Sequence, residues 1–255
     1  MIITLLGSAT SQGIPVIGCQ CAACTSDDPE DKRLRCSALI SSDLTNVVID
    51  VGPDFRQQML RTNTDHLDAV VITHEHNDHI IGLDDLRPFI FRSRKPMRIY
   101  AEQRVLNEIK VRFAYAFAPQ SHPGAPSFEL IPMTPGVSTV IGDIEINPVR
   151  VYHGTLPILG IRVGGLAYLT DTNFIPDETL DQLKGIDHVL IDALRYQPHH
   201  SHNTIDQALE KIRLIDPKKE SYLIHMSHLL GPVKEWSRHL PPSIYAGYDG
   251  LQFEL

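Results

Sequence analysis

Six consecutive residues, His74-Glu75-His76-Asn77-Asp78-His79, concentrate four metal-competent side chains directly after the apolar run Ala69-Val70-Val71-Ile72. Imidazoles and a carboxylate suit zinc or a similar divalent ion, whereas calcium and magnesium favour all-oxygen shells. A catalytic metal keeps one coordination position open, so four ligands exceed what one such ion uses. The excess points to two ions. A second concentration is Cys19-Gln20-Cys21-Ala22-Ala23-Cys24. Cys19 and Cys21 lie too close for an easy disulfide, and three is an odd number. The cluster reads as a metal site that lacks one ligand. Cys36 stands alone and reads as core.

Metal-competent residues recur downstream, each released at the edge of an apolar stretch. His153 follows Val149-Arg150-Val151-Tyr152, Asp171 follows Ala167-Tyr168-Leu169-Thr170, and His225 follows Tyr222-Leu223-Ile224, with His228 three residues later. Alone, a histidine or aspartate in such a place is ordinarily a hydrogen-bonded turn residue. The upstream motif needs partners, and that need makes these four ligand candidates. Pro198-His199-His200-Ser201-His202 adds three imidazoles just ahead of a helical segment.

The elements that hold these groups follow from apolar runs separated by turn signals. Strands are expected at 2–6, 38–41, 46–49, 69–72, 97–100, 128–131, 144–152, 158–163, 167–169, 188–191, 222–224 and 251–253. Helical spacing is clear at 53–61, 103–117, 179–183 and 204–214, the last capped by Asn203 or Thr204. Strands outnumber helices and helices are interspersed, which predicts an α/β (α+β) layered αββα sandwich. A single domain over 1–255 is expected, with the cysteine-bearing loop near 18–36. Residues 118–127, rich in Pro, Ser and Gly, form a candidate lid or a mere connection.

Lys and Arg number 23 against 31 Asp and Glu, a net charge of -8. That balance argues against a nucleic-acid partner, although bound dications would offset part of it. The first residues lack a basic region and read as a strand. No apolar run approaches the roughly 18 residues of a membrane span. A cytoplasmic protein with no membrane partner is expected, and a homodimer is its commonest oligomer.

The series His74-x-His76-x-Asp78-His79, then His153, Asp171 and His225, resembles that of the metallo-β-lactamase superfamily in order and spacing. The likeness runs through the closing Tyr248-Asp249-Gly250. More narrowly, Gly7-Ser8-Ala9-Thr10-Ser11-Gln12-Gly13-Ile14-Pro15, Gly18-Cys19-x-Cys21-x-x-Cys24, Arg35-Cys36-Ser37 and His225-Met226-Ser227-His228 resemble the PhnP family of phosphoribosyl cyclic phosphate phosphodiesterases.

The resemblance implies a four-layer metallo-β-lactamase-like sandwich. It implies a structural zinc on Cys19, Cys21, Cys24 and His228. Two active-site divalent metals, zinc or manganese, are expected: one on His74, His76 and His153, the other on Asp78, His79 and His225, with Asp171 bridging. Such a pair could share a hydroxide that attacks a small phosphate ester, a ribosyl or nucleoside cyclic phosphate being the expected class. His202 is singled out as general acid, and Asp78 also belongs to the catalytic group.

An RNA-processing endonuclease of the tRNase Z type shares the metal motif, but the acidic balance speaks against it. A PqqB-like cofactor-biosynthesis protein shares the cysteine cluster. A binding protein on a dead scaffold conflicts with the complete ligand set. Among neighbouring groups, Arg87 could reach a substrate phosphate, but pairing with Asp84 or Asp85 is the expectation. Glu75 and Asn77 should point away from the metals, and Asp50 should orient a metal-binding histidine.

Overall fold

The computed structural model describes residues 1–118 and 122–255. Its first sheet contains β1 (Ile2–Gly7), β2 (Ser37–Ser41), β3 (Asn46–Ile49), β4 (Ala69–Val71), β5 (Met97–Ala101) and β6 (Phe128–Pro132). The second contains β7 (Thr139–Ile141), β8 (Ile144–His153), β9 (Leu156–Val163), β10 (Leu166–Leu169), β11 (His188–Asp192), β12 (Ser221–Ile224) and β13 (Ile244–Ala246). The last strand, β14 (Gln252–Glu254), returns to the first sheet beside β1. Strand order is β14-β1-β2-β3-β4-β5-β6 in one sheet and β13-β12-β11-β10-β9-β8-β7 in the other.

Each sheet is half antiparallel and half parallel. β3 to β6 run parallel, as do β10 to β13. Parallel strands are covered on both faces, so they read as unbroken apolar runs. Val47, Ile49, Ala69 and Val71 point inward to a core shared with Ile146, Ile161, Tyr168 and Leu190 of the second sheet. The alternate residues Val48, Val70 and Ile72 face outward to helices.

Those helices are α1 (Ala22–Thr25), α2 (Phe55–Thr62), α3 (Asn77–Ile80), α4 (Arg87–Ser93), α5 (Gln103–Arg112), α6 (Asp177–Leu183), α7 (Ile205–Ile215) and α8 (Val233–Trp236). Phe55, Phe89 and Val105 cover the first sheet. Leu183, Ile205, Ile212 and Trp236 cover the second. The result is the four-layer αββα arrangement, with one core between the sheets and one under each helical layer. α7 begins with a capping box in which Thr204 and Gln207 exchange side-chain and backbone bonds.

Several elements differ from expectation. The helix expected over 103–117 stops at Arg112, because Phe113 leaves helical geometry at φ -110° and ψ 35° before a turn at Ala114–Ala116. β7 and β13 are three-residue edge strands too short to signal themselves. α3 and α4, of four and seven residues, carry too few turns for a readable period. The candidate lid at 118–127 falls partly outside the described residues, at 119–121. No helix among the described residues is long and apolar enough to cross a membrane.

Candidate metal centres

Polar residues gather where strands of both sheets end. Asp50 follows β3, His74 lies three residues beyond β4, and His153 ends β8. Asp171 lies two residues beyond β10, Asp192 ends β11, and His225 follows β12. Parallel sheets bind ligands at this carboxyl edge. Three of these residues adopt left-handed backbone geometry: Asp50 at φ 62°, Asp171 at 52° and His225 at 57°. A side chain there costs about 1–2 kcal/mol. The left-handed residue reverses the chain at the strand end, beside the cluster that all three join.

The motif loop is braced from behind. Val51 N–H donates to the His79 carbonyl at 2.7 Å, and Gly82 N–H donates to that of Val51 at 3.0 Å. A Cβ on Gly52 would sit 2.1 Å from the Asp78 carbonyl oxygen, and one on Gly82 would sit 2.0 Å from that of Gly52. Glycine at both positions lets the backbones approach. The single turn of α3 then delivers Asp78 and His79 together.

Two ligand sets result. His74, His76, His153 and Asp171 form one, and Asp78, His79, Asp171 and His225 form the other, with donor atoms in each set within 4.8 Å of one another. Asp171 belongs to both. His74 Nε2 lies 3.0 Å from His76 Nδ1. His79 Nε2 lies 3.3 Å from both Asp78 Oδ2 and Asp171 Oδ1, and His225 Nε2 lies 3.1 Å from Asp171 Oδ1. Ligands about 2.1 Å from a tetrahedral ion are separated by roughly 3.4 Å, which these spacings approach. The Nε2 atoms of His79 and His225 are buried without a hydrogen-bond partner among the described residues. Such donors are costly to bury alone, and a cation between them and the carboxylates would satisfy them.

The electrostatics agree. Burial holds the His74 pKa well below its ordinary value. Burial also opposes charge on His79 and His225, but Asp171 outweighs it, joined by Asp78 and Asp50 at His79, and both pKa values rise well above the ordinary. Desolvation disfavours the carboxylates of Asp78 and Asp171 as well, yet His79 and His225 hold both below the usual range. The pocket keeps its carboxylates ionised and attracts positive charge at the imidazole nitrogens. Protons answer that attraction here, and a divalent ion that displaced them would answer it in their place.

Buried acceptors orient the rings. Asp50 accepts His79 Nδ1 at 2.7 Å and also binds the Thr73 amide and hydroxyl, each at 2.8 Å. This is the orienting contact expected of Asp50. His153 Nδ1 donates to the Ser201 carbonyl at 2.9 Å. Asp192 Oδ2 accepts His202 Nδ1 and the Asn203 amide, both at 3.1 Å, and Asp192 Oδ1 lies 3.6 Å from His225 Nδ1. His202 stacks on His225 with centroids 4.8 Å apart. His200 is exposed, and burial with neighbouring His202 lowers the His199 pKa to about 4. The sequence pattern does not single out Asp192, although it too ends an apolar run, Val189-Leu190-Ile191.

The cysteine cluster lies on the other side of the same short segment. His228 Nδ1 is 3.4 Å from Cys19 Sγ and 3.3 Å from Cys21 Sγ, and Cys24 completes the group. The Val16 amide donates to Cys24 Sγ at 3.3 Å. Burial pushes the Cys24 thiol up to about 11. Desolvation acts most strongly on Cys21, but the bonds to His228, to the Cys24 amide and to the Cys19 and Cys24 thiols together overcome it and lower that thiol to about 6. Thr10 N–H donates to the Met226 carbonyl and Met226 N–H to that of Ser8, both at 3.0 Å. The segment is gripped midway between His225 and His228. Cys36 is buried in the core between the sheets.

Other candidates lie off the centres. Arg87 Nη2 pairs with Asp84 at 2.5 Å. Glu75 pairs with Arg104, and Asn77 accepts from Arg112. Both motif residues turn away from the ligand sets, as their alternation suggested.

The model of the beta-lactamase superfamily domain matches residues 45–226. An octanoyltransferase from Porphyromonas gingivalis is 45% identical over 250 residues, covering 97% of this chain and 50% of that protein. The chain thus spans half the length of that relative. The crystal structure of a diphosphatase from the PhnP family superposes with a TM-score of 0.92 at 39% identity, covering 99% of this chain and 96% of the other. Zinc-bound PqqB from Methylobacterium extorquens, at 19% identity and a TM-score of 0.80 over the whole of both chains, shares the fold. With most of its length matched and its layers in the same order, this chain belongs to the metallo-β-lactamase superfamily and within it resembles the PhnP family.

Proposed function

We propose that the protein is a dinuclear metal-dependent phosphodiesterase acting on small phosphate esters, with ribosyl or nucleoside cyclic phosphates as its substrate class. One observation carries this reading: two complete ligand sets meet at a shared carboxylate, Asp171. His74, His76 and His153 would hold one ion, and Asp78, His79 and His225 the other. Cys19, Cys21, Cys24 and His228 would hold a structural zinc, a closed shell of four ligands. When bound, the active-site pair supplies Lewis acidity toward phosphoryl oxygens and lowers the pKa of water.

The chain's own residues do the rest. Asp50 and Ser201 fix the tautomers of His79 and His153 through Nδ1. Asp192 does the same for His202 and leaves its Nε2 for the substrate side. From there His202 gives its proton to the leaving oxygen as the P–O bond breaks, a role suited to an imidazole.

The diphosphatase relative favours a second reading, hydrolysis of a diphosphate, which asks the same proton of His202. The octanoyltransferase name comes from a protein of twice this length, so an acyl carrier substrate is a useful control. Turnover of ribosyl 1,2-cyclic phosphate, 2′,3′-cyclic nucleotides, a nucleoside diphosphate, octanoyl carrier protein and precursor tRNA should be compared on the metal-loaded protein. Cyclic phosphates are expected to be cleaved fastest. Cleavage of the diphosphate alone would select the second reading, and cleavage of tRNA alone would overturn both.

A further inference from the structure

Each proposed metal draws ligands from both sheets. His74 and His76 follow β4 of the first sheet, and their partner His153 ends β8 of the second. Asp78 and His79 likewise meet His225 after β12. The separation of the sheets at this edge therefore sets both ligand sets at once. The apolar core between the sheets does not by itself define that separation finely, because hydrophobic attraction is non-directional.

Directional contacts do cluster at this edge. Arg104, in the first turn of α5, donates one Nη to Glu75, which lies between His74 and His76. Its other Nη donates to the Pro157 carbonyl of β9 at 2.7 Å. Beside it, Glu102 binds Arg150 of β8, with one contact at 2.9 Å, and Arg150 also donates to the Ile158 carbonyl at 3.2 Å. The Leu159 amide of β9 donates to the Thr73 carbonyl at 3.2 Å. The second carboxylate oxygen of Glu75 is buried with no hydrogen-bond partner among the described residues, and there Arg104 is the polar partner on which Glu75 depends.

We propose that Glu75 and Arg104 are positioning residues that clamp the motif loop of the first sheet onto β9 of the second, and so fix His74 and His76 against His153. The inference rests on the metal reading above. A planar guanidinium suits the task, since one rigid group reaches a carboxylate and a carbonyl in set directions. Removing Glu75's charge leaves Arg104 with the Pro157 carbonyl and, at 4.0 Å, the Glu102 carboxylate, and frees the loop between two ligands.

Cobalt(II) added to the metal-depleted protein tests this, read by visible absorption and by competition with a chelator. Glu75→Gln keeps the side-chain shape. It is expected to weaken cobalt binding at the histidine cluster about tenfold, as loss of an outer contact does, and to alter the cobalt d–d bands. The thiolate-to-cobalt band of the cysteine cluster should not change. Arg104→Lys should weaken the histidine cluster similarly, and the double variant should lose no more than Arg104→Lys alone. Unchanged d–d bands and affinity in Glu75→Gln would overturn the clamp, as would losses that multiply in the double variant. If Arg104→Lys fails to fold, the isosteric Glu75→Gln decides alone. A native chain that takes up cobalt only at its cysteines would instead overturn the metal reading and the clamp with it.

Discussion

His225 and His228 are three residues apart and serve different surroundings. His225 is buried at φ 57°, faced by Asp78, Asp171 and Asp192. His228 is half-buried in a 3₁₀ turn and faces Cys19 and Cys21. One site offers oxygen and nitrogen donors from four strand ends, β4, β8, β10 and β12, and shares a carboxylate between two sets. The other offers three thiols from one loop and a single imidazole, four donors that would fill a tetrahedral shell. The same residue type thus takes two roles, decided by which donors the backbone places opposite it. A shared carboxylate and open geometry suit turnover, and a closed thiolate shell suits holding a loop in place.

Substitutions sharpen that contrast, and the largest effect should come from the shared carboxylate. Asp171→Asn is expected to lower kcat/KM on the order of 10³-fold or more, the scale of losing preorganised charge at a reacting centre, with both active-site ions lost in metal analysis. Retention of two ions with near-native activity would merge the two sites into one class.

Next comes the proton donor. His202→Ala should cost about 10²-fold on substrates with poor leaving groups and much less on activated aryl esters. Equal losses on both would remove His202 from the acid role. The smallest effect on catalysis belongs to the thiol site. Cys21→Ala should remove one equivalent of tightly held zinc and lower Tm on the order of 5 °C, the shift that about 2 kcal/mol produces in a chain of this size. Activity should fall less than tenfold, an upper bound set by the grip of Ser8 and Thr10 on Met226, which holds His225 from the other side. Unchanged zinc content would leave those cysteines as core residues only.

Much of this geometry was legible because parallel strands announce themselves. Val70-Val71-Ile72 and Tyr222-Leu223-Ile224 can lie only in the core, so the polar residues just past them had to emerge at an edge. The metal motif, Asp171 and His225 were readable on that ground; His153, which ends the antiparallel β8, was readable because the motif needs partners, and Cys19, Cys21 and Cys24 by their spacing. Asp192 was not, because a carboxylate ending a strand is commonly a turn residue, and its meaning comes from a loop that returns at His202. The clamp was hidden for a similar reason. Nothing local to Glu75 names Arg104, 29 residues on, and nothing local to Arg104 names a carbonyl in the other sheet. Left-handed geometry at Asp50 and Asp171 is compatible with aspartate but not announced by it; at His225 it had no signal.

The return of β14 to β1 bears on the order in which the chain can fold. Buried Arg33 donates to Ser8 and to the carbonyl of Gly247, while Asp249 accepts from Ser8, the Leu34 amide and Arg61. Those C-terminal groups emerge from the ribosome some two hundred residues after the N-terminal groups they satisfy. Until they arrive, β1 presents an unpaired edge and Arg33 has no neighbour at Asp249 to balance its charge. The first sheet is therefore no autonomous unit of synthesis. Six of its seven strands wait for β14 to cover the edge of β1, and that interval is when a nascent chain is most open to wrong pairing or to chaperone capture.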